Sequence, residues 1–489
     1  MCRSIVEKVL WHSKETPDKL AMADGKRGYT YSELAHTIAK LAVVLEDGRV
    51  SKGDYVLVEC TQDVNFLMLD LACEYIGAVF VPLEKNAAQE RVSSIYEEMD
   101  ARCIIAESNY ESAGCCYQVS DVLQKAEGVT EKELNYVHRN DVAEILYTTG
   151  TTGQPKGIVI SHQANIAIAQ NIQQGVRMNA SSVEIIPLPL SHSHALRTSY
   201  ANLYNGSAVV IADGALKIGA LFELIETYGV NAIDISPTMA KLLLKIAKRG
   251  LKKYADVIEY IELGTAVLED ETKEQLKEIF PQTRLYNFYG STEAGRSCVL
   301  DFKEYDHTGC IGYPAVNAEI FIVDDGRKQM QSDAGHPGLL AVKGRMMMDG
   351  YYHSEELTRA TVVDGVLYTN DLGYIDEAGR VYVMGRKDDV INYKGIKIAP
   401  EEIESVAVKY DGIVDCACVP AKDAICGQVP KLFVQIADSV EYDEQQFFEY
   451  LRASLEASRV PDAVEVISEI PRSSNGKLQR KKLMEQRLQ

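Results

Sequence analysis

Apolar residues recur along this chain in two rhythms. Over 31–45 they fall at Leu34, Ile38, Leu41, Val44 and Leu45, the spacing of one helix face, and Tyr55-Val56-Leu57-Val58 is then an unbroken run of strand length. A second helix is expected over 66–76, stopped by Gly77, and a second strand over 78–81, ended by Pro82. The unit returns with helix 219–228, strand 232–235 closed by Ser236-Pro237, and helix 239–247. Unbroken apolar strands alternating with amphipathic helices predict an α/β fold with parallel sheets covered on both faces.

The texture changes after Phe280. Short β-rich runs at 318–323, 339–343 and 380–384, with the turns Asp325-Gly326, Asp364-Gly365 and Ala378-Gly379, predict a subdomain of antiparallel strands. The polar turn 385–389 then separates a large N-terminal domain, 1–387, from a small α+β C-terminal domain, 388–489.

Composition narrows the function classes. The chain has 489 residues, 46% hydrophobic and 25% charged, as in an ordinary soluble protein of several subdomains. No apolar run approaches the ~20 residues that span a bilayer, and the first residues lack a secretory pattern, so a cytoplasmic protein without membrane insertion is expected. The 71 acidic and 51 basic residues leave a net charge of −20, which argues against nucleic acid as a partner. The 11 cysteines show no C-x-x-C pair and read as reduced thiols.

One loop carries chemistry. Thr148-Thr149-Gly150-Thr151-Thr152-Gly153-Gln154-Pro155-Lys156-Gly157 follows one apolar run and precedes another. Its glycines, hydroxyls and lysine can surround a polyphosphate with N–H groups, O–H donors and a cation. It is not a Walker A loop, since Pro155 precedes Lys156 and Gly157 follows it.

The full string resembles the phosphate loop of the AMP-forming adenylating superfamily, which includes acyl-CoA synthetases, adenylation domains of peptide synthetases, and luciferases. Asn287-Phe288-Tyr289-Gly290-Ser291-Thr292-Glu293 is similar to the family's second signature. The resemblance implies that Tyr289 lies against adenine, Thr292 meets the α-phosphate and Glu293 holds Mg²⁺, with Thr152 also near the metal. Asp371 resembles the ribose-binding aspartate, although Asn370 stands where the family usually has glycine, a change that left-handed backbone at asparagine would absorb. Gly264-Thr265-Ala266 loosely resembles an adenine-contacting strand end.

By the same resemblance, Arg386 reaches the ribose, Asp388 is the hinge between the domains, Lys394 enters the site in the second half-reaction, and Lys477 is the adenylation lysine of a mobile lid. His192 matches the histidine common in CoA ligases; Ser193, His194, Tyr200, Ser236, Pro237 and Thr238 are candidates for the acid pocket. No Phe-Asp pair of the kind that binds an α-amino acid occurs near them, which favours a simple organic acid, aryl or aliphatic. The implied reaction uses ATP and Mg²⁺ to make an acyl-adenylate and passes the acyl group to a thiol. Coenzyme A is the expected acceptor; the phosphopantetheine of a separate acyl or peptidyl carrier protein is the alternative. A catalytically silent nucleotide-binding relative is the reading from another class, against which stand all the motif residues named above.

Overall fold

The structure is a computed structural model, and it describes all residues except 1, 111–114, 133–137, 150–154, 215–216, 394–395, 424–425, 438–439, 441, 473–477 and 486–489. The expected α/β alternation appears as two parallel-stranded sheets. In the first, Tyr55–Glu59, Val79–Leu83, Cys103–Ala106, Cys116–Gln118 and Val142–Thr149 run parallel, and Pro155–Ser161 and Gly350–Tyr351 complete one edge antiparallel. In the second, Leu20–Ala23, Ala208–Ile211, Val183–Ile186, Ala232–Ile235, Tyr260–Leu263 and Arg284–Ser291 run parallel in that spatial order.

Helices Ile5–Glu15, Tyr31–Asp47, Val64–Ile76, His162–Gly175 and Ser193–Asn205 lie between these sheets. One core joins Leu34, Ile38 and Phe66 to Val56, Val58 and Phe80 of the first sheet and to Ile186, Val209 and Ile211 of the second. Burying each such side chain is worth about 1.5–3 kcal/mol. Leu57 and Val81, alternating with those inward positions, pack instead under Val92, Ile95 and Met99 of the helix Gln89–Met99 on the far face. The far face of the second sheet is covered by Leu221, Leu243 and Leu276, one from each of three further helices. This double covering is why the strands read as unbroken apolar runs.

Local signals place the ends. Helix Tyr31–Asp47 opens on a capping box: the Thr30 hydroxyl accepts from Glu33 N at 3.2 Å, and the Glu33 carboxylate accepts from Thr30 N at 2.9 Å. Gly77 ends its helix in the left-handed region at φ 76°. Pro82, expected to end a strand, lies inside Val79–Leu83; the neighbour on that strand's other side pairs only at Phe80, so the missing N–H costs no ladder bond.

The β-rich region is present, but it is not a separate sheet. Arg284–Ser291 is still parallel, because the helix Asp270–Ile279 crosses over before it, and Gly295–Asp301 and Cys310–Pro314 carry hydrogen bonding on into Val381–Arg386, Val366–Ile375, Gly338–Gly344 and Ala318–Val323. From Ile391 onward the chain builds its own five-stranded sheet, with a core of Ile391, Ile398, Ile403, Leu432, Phe447 and Leu451. All 11 cysteines are free. Among the described residues, no helix is long and apolar enough to cross a membrane.

Candidate active site

Strands of the second sheet end together, and the carboxyl edge of a parallel sheet is where such folds place ligands. Strand Arg284–Ser291 turns back into Gly295–Asp301 with Ser291 opposite Gly295, so Thr292 and Glu293 stand at a hairpin tip. A Cβ on Gly290 would lie 2.0 Å from the Gly295 carbonyl oxygen, which makes glycine obligatory in so tight a hairpin. The Thr292 hydroxyl is 3.2 Å from the Ser193 hydroxyl at the start of helix Ser193–Asn205. Tyr351 O–H donates to Glu293 at 3.1 Å, and Lys156 Nζ lies 5.8 Å from the Tyr351 ring centre.

These contacts bring the first sheet to the second. Lys156 pairs opposite Thr148 in the hairpin that carries the phosphate loop, and Tyr351 belongs to the strand beside it. Thus a cation, a hydroxyl and a carboxylate from three separate segments converge. Gly150, Thr151, Thr152 and Gly153 lie outside the described residues, as do Lys394 and Lys477. Thr149 is described in its backbone, at the end of strand Val142–Thr149.

Asp371 forms the second focus. It pairs opposite Arg386 in neighbouring strands, Tyr289 O–H donates to its carboxylate, and Arg386 Nε stands 3.7 Å away, too far to hydrogen-bond. Burial and the adjacent Asp371 charge push the Tyr289 hydroxyl well above its ordinary pKa, so it remains a donor. Arg386 Nε and Asn287 Oδ1 are buried without hydrogen-bond partners among the described residues. An unmatched donor beside Asp371, and an unmatched acceptor two residues before Tyr289 on the same strand, fit a ligand carrying hydroxyls and an amino group, as a nucleoside does.

Asn370 takes no left-handed backbone. It lies in strand Val366–Ile375 and its Nδ2 donates to Asp388 at 3.3 Å, while its carbonyl accepts from Lys387 N at 2.7 Å. The residue that departs from the family pattern thus holds the expected hinge.

On the acid side, Gly264 follows strand Tyr260–Leu263, and a Cβ there would lie 2.5 Å from His194 Cε1. Thr265 next to it has φ 78°, a strained position for a β-branched residue; Ala266 completes the exit from the strand. His192 is the residue before helix Ser193–Asn205, with its pKa lowered by burial. Ser236 caps helix Pro237–Leu251 by accepting from Met239 N at 3.2 Å, Pro237 opens that helix, and Thr238 is exposed. Tyr200 lies apart from these residues: two helical turns on from His192, it is buried between the sheets, its hydroxyl bonded to Asp70 at 2.7 Å and Glu144 at 3.0 Å.

Sequence reasoning missed four residues that matter here: Tyr351, Asp234, Glu262 and Arg296. His194 Nε2 is 2.7 Å from Asp234 Oδ1, and Arg296 donates to Glu262 at 2.5 Å and to the Thr198 hydroxyl. Burial pushes the Glu262 carboxyl up to about 7 against the pull of Arg296, whereas His194 and Arg296 outweigh burial at Asp234 and hold it down. An acid within each of the apolar strings Ala-Ile-Asp-Ile and Tyr-Ile-Glu-Leu was the available signal.

Family comparison agrees with this geometry. The model described as AMP-binding enzyme matches residues 9–352, and that of the AMP-binding enzyme C-terminal domain matches 402–477. A 4-coumarate–CoA ligase 3 of Arabidopsis thaliana is 27% identical over 498 residues, covering 95% of this chain and 88% of that protein. The 4-coumarate–CoA ligase CCL1 of Humulus lupulus is 28% identical over 503 residues, covering 95% and 90%. ATP-bound MatB from Rhodopseudomonas palustris has the same fold, with a TM-score of 0.91 at 23% identity over 99% of both chains. The o-succinylbenzoate CoA synthetase MenE from Bacillus subtilis, in complex with ATP and magnesium, superposes with a TM-score of 0.87 at 24% identity, covering 98% and 99%. With that match over most of its length, the chain belongs to the AMP-binding enzyme family of adenylate-forming enzymes.

Proposed function

We propose that the protein is an AMP-forming acid–CoA ligase. A carboxylate oxygen of the acid attacks the α-phosphorus of ATP, the bond to pyrophosphate breaks, and an acyl-adenylate forms. The CoA thiol then attacks the acyl carbon, losing its proton, and AMP leaves. The observation that carries this reading is the hairpin tip: Thr292 and Glu293 lie between the Ser193 helix start and the Lys156–Tyr351 strand pair.

The protein holds two anions in line and stabilises added charge. Thr292 donates to the α-phosphate, Lys156 and the loop from Thr148 face the outer phosphates, and Asp371 with Arg386 takes the ribose. Glu293 and Thr152 would hold Mg²⁺, which when bound would supply charge neutralisation for departing pyrophosphate. Lys477 completes adenylation from the small domain, 388–489, and rotation about Asp388 then brings Lys394 in for thioester formation. The relatives' names as CoA ligases support CoA over a carrier protein as acceptor. The reading places the enzyme in the cytoplasm, acting on a free acid, with no nucleic-acid partner.

The test is a hydroxylamine-trapping screen of carboxylic acids with ATP and Mg²⁺, followed by CoA on each positive acid. Acyl-hydroxamate and CoA consumption are expected for at least one acid; trapping without CoA consumption would point to a carrier protein, and no trapping with any acid would refute the reading. With the positive acid, Lys477→Ala should abolish ATP–pyrophosphate exchange and leave thioester formation from the prepared acyl-adenylate largely intact.

A further inference from the structure

Between helix Ser193–Asn205 and the second sheet runs a polar stripe to which the reaction above assigns no role. His194, Thr198 and Asn202, four residues apart, share one helix face. They meet Glu184, Asp234 and Glu262 on neighbouring parallel strands, with Asp234 directly opposite Glu262 and Glu184 opposite Ala232. Asn202 donates to Glu184 at 2.6 Å, and Arg296 bridges Glu262 and Thr198 from the adjoining hairpin. Buried ion pairs add little stability over apolar packing, so stability does not account for the stripe.

One rung reaches open space. The His194 side chain is 11% exposed, against 0% for Asp234 and Glu262 and 6% for Arg296. Asp234 Oδ1 lies 2.7 Å from Nε2, which therefore turns its N–H toward the carboxylate; burial, and then the Arg296 charge, lowers the ring's pKa below its ordinary value and so favours the neutral form. Nδ1 is left as a lone-pair acceptor, and no hydrogen bond to it is found among the described residues. The Nδ1–Cε1 edge stands against Gly264 at the strand end, and the preceding residue, Ser193, touches Thr292. The free acceptor is thus held beside the place where acid and nucleotide meet.

We infer that His194, oriented by Asp234 and the Arg296–Glu262 pair, determines acid specificity by accepting a hydrogen bond from an O–H or N–H on the acyl part of the substrate. The protein takes carboxylic acids carrying such a donor in preference to their unsubstituted counterparts. This rests on the reading of the site as an acid ligase. A site shaped to bond a substrate hydroxyl discriminates against the analogue lacking it, because the protein's polar group is then left unpaired. For one neutral, partly accessible acceptor the expected ratio is roughly 10- to 100-fold in kcat/KM.

Matched pairs test this: 4-coumarate with cinnamate, 4-hydroxybenzoate with benzoate, and 3-hydroxybutyrate with butyrate, each assayed by hydroxamate formation. The wild type should favour the hydroxylated member of each active pair. His194→Phe should bring the ratio close to one, and His194→Gln, which retains an acceptor, should keep part of the preference. Equal kcat/KM within every active pair of the wild type, or a preference that survives in His194→Phe, would overturn the inference. A wild type that traps none of these acids, nor any in the broader screen, overturns the ligase reading itself, which separates the two failures. Because the wild-type comparison needs no substitution, a variant that fails to fold does not rescue the idea.

Discussion

His162 begins the helix His162–Gly175, fully buried, with both ring nitrogens lacking hydrogen-bond partners among the described residues. Burial lowers its pKa to about 4, and the nearby Glu74 carboxyl, 3.8 Å away, is pushed up to about 7 by the same cause. Below the ordinary histidine pKa of about 6.5 the unfolded chain takes a proton that the folded chain refuses until about 4. Stability is therefore lost as pH falls through that window, by up to about 3 kcal/mol from this group. His162→Leu should reduce the loss, read as urea-unfolding midpoints at about pH 7 and about pH 4.5; Glu74, whose effect has the opposite sign, is common to both proteins. Identical losses in variant and wild type would contradict the assignment. Nothing in the local sequence marks His162 as unpaired, nor Tyr200 as a core residue bonded to Asp70, since their surroundings come from helices and strands distant in the chain.

Elements were more legible than their partners. Caps, glycine stops and apolar periodicity lie within a few residues of the features they control, so the helix starting at Tyr31 and the strand starting at Tyr55 follow from their own letters. The segment around Lys477 shows what such reading leaves out. Arg472 makes two bonds of 2.8 Å to Asp415 and pairs across with Leu478, and Gln479 N donates to the Pro471 carbonyl at 2.9 Å. Arg480 bonds Glu401 at 2.6 Å and Glu404 at 2.8 Å, with Asp389, beside the expected hinge, at 3.7 Å. The residues on either side of 473–477 are thus tied to the small-domain sheet and its helix Pro400–Ala407. Arg480→Gln should slow pyrophosphate exchange roughly 10- to 100-fold, as a small misplacement of a reacting group does, and spare thioester formation from prepared acyl-adenylate. A thermal-melt control separates this from unfolding; equal loss in both half-reactions would exclude a positioning role.

At the scale of the whole molecule, Asn370 bonds Asp388 across the expected domain boundary, and Lys387, the last residue before that boundary, pairs with Asp325 of the same side at 2.8 Å. Proline locks φ near −65°, so Asp388→Pro should hold one domain arrangement, keep one half-reaction and slow the other at least about ten-fold. Separate assays of the two steps check this, and equal rates in variant and wild type would move the hinge elsewhere. The net charge of −20 excluded no anionic ligand, because Lys156, Arg386 and local N–H groups act over a few ångströms while the global field is screened within about 8–10 Å. By itself the sequence determined the α/β alternation and the nucleotide chemistry, since periodicity, caps and the phosphate-loop, Tyr289–Glu293 and Asp371 strings are local. Only the tertiary structure decided that the β-rich strands extend the second parallel sheet, that Asn370 bonds Asp388, and that His194 leans on Asp234 beside Arg296 and Glu262. Those contacts join residues 18 to 102 positions apart, and a strand's letters say which face is buried without saying which strand lies next to it.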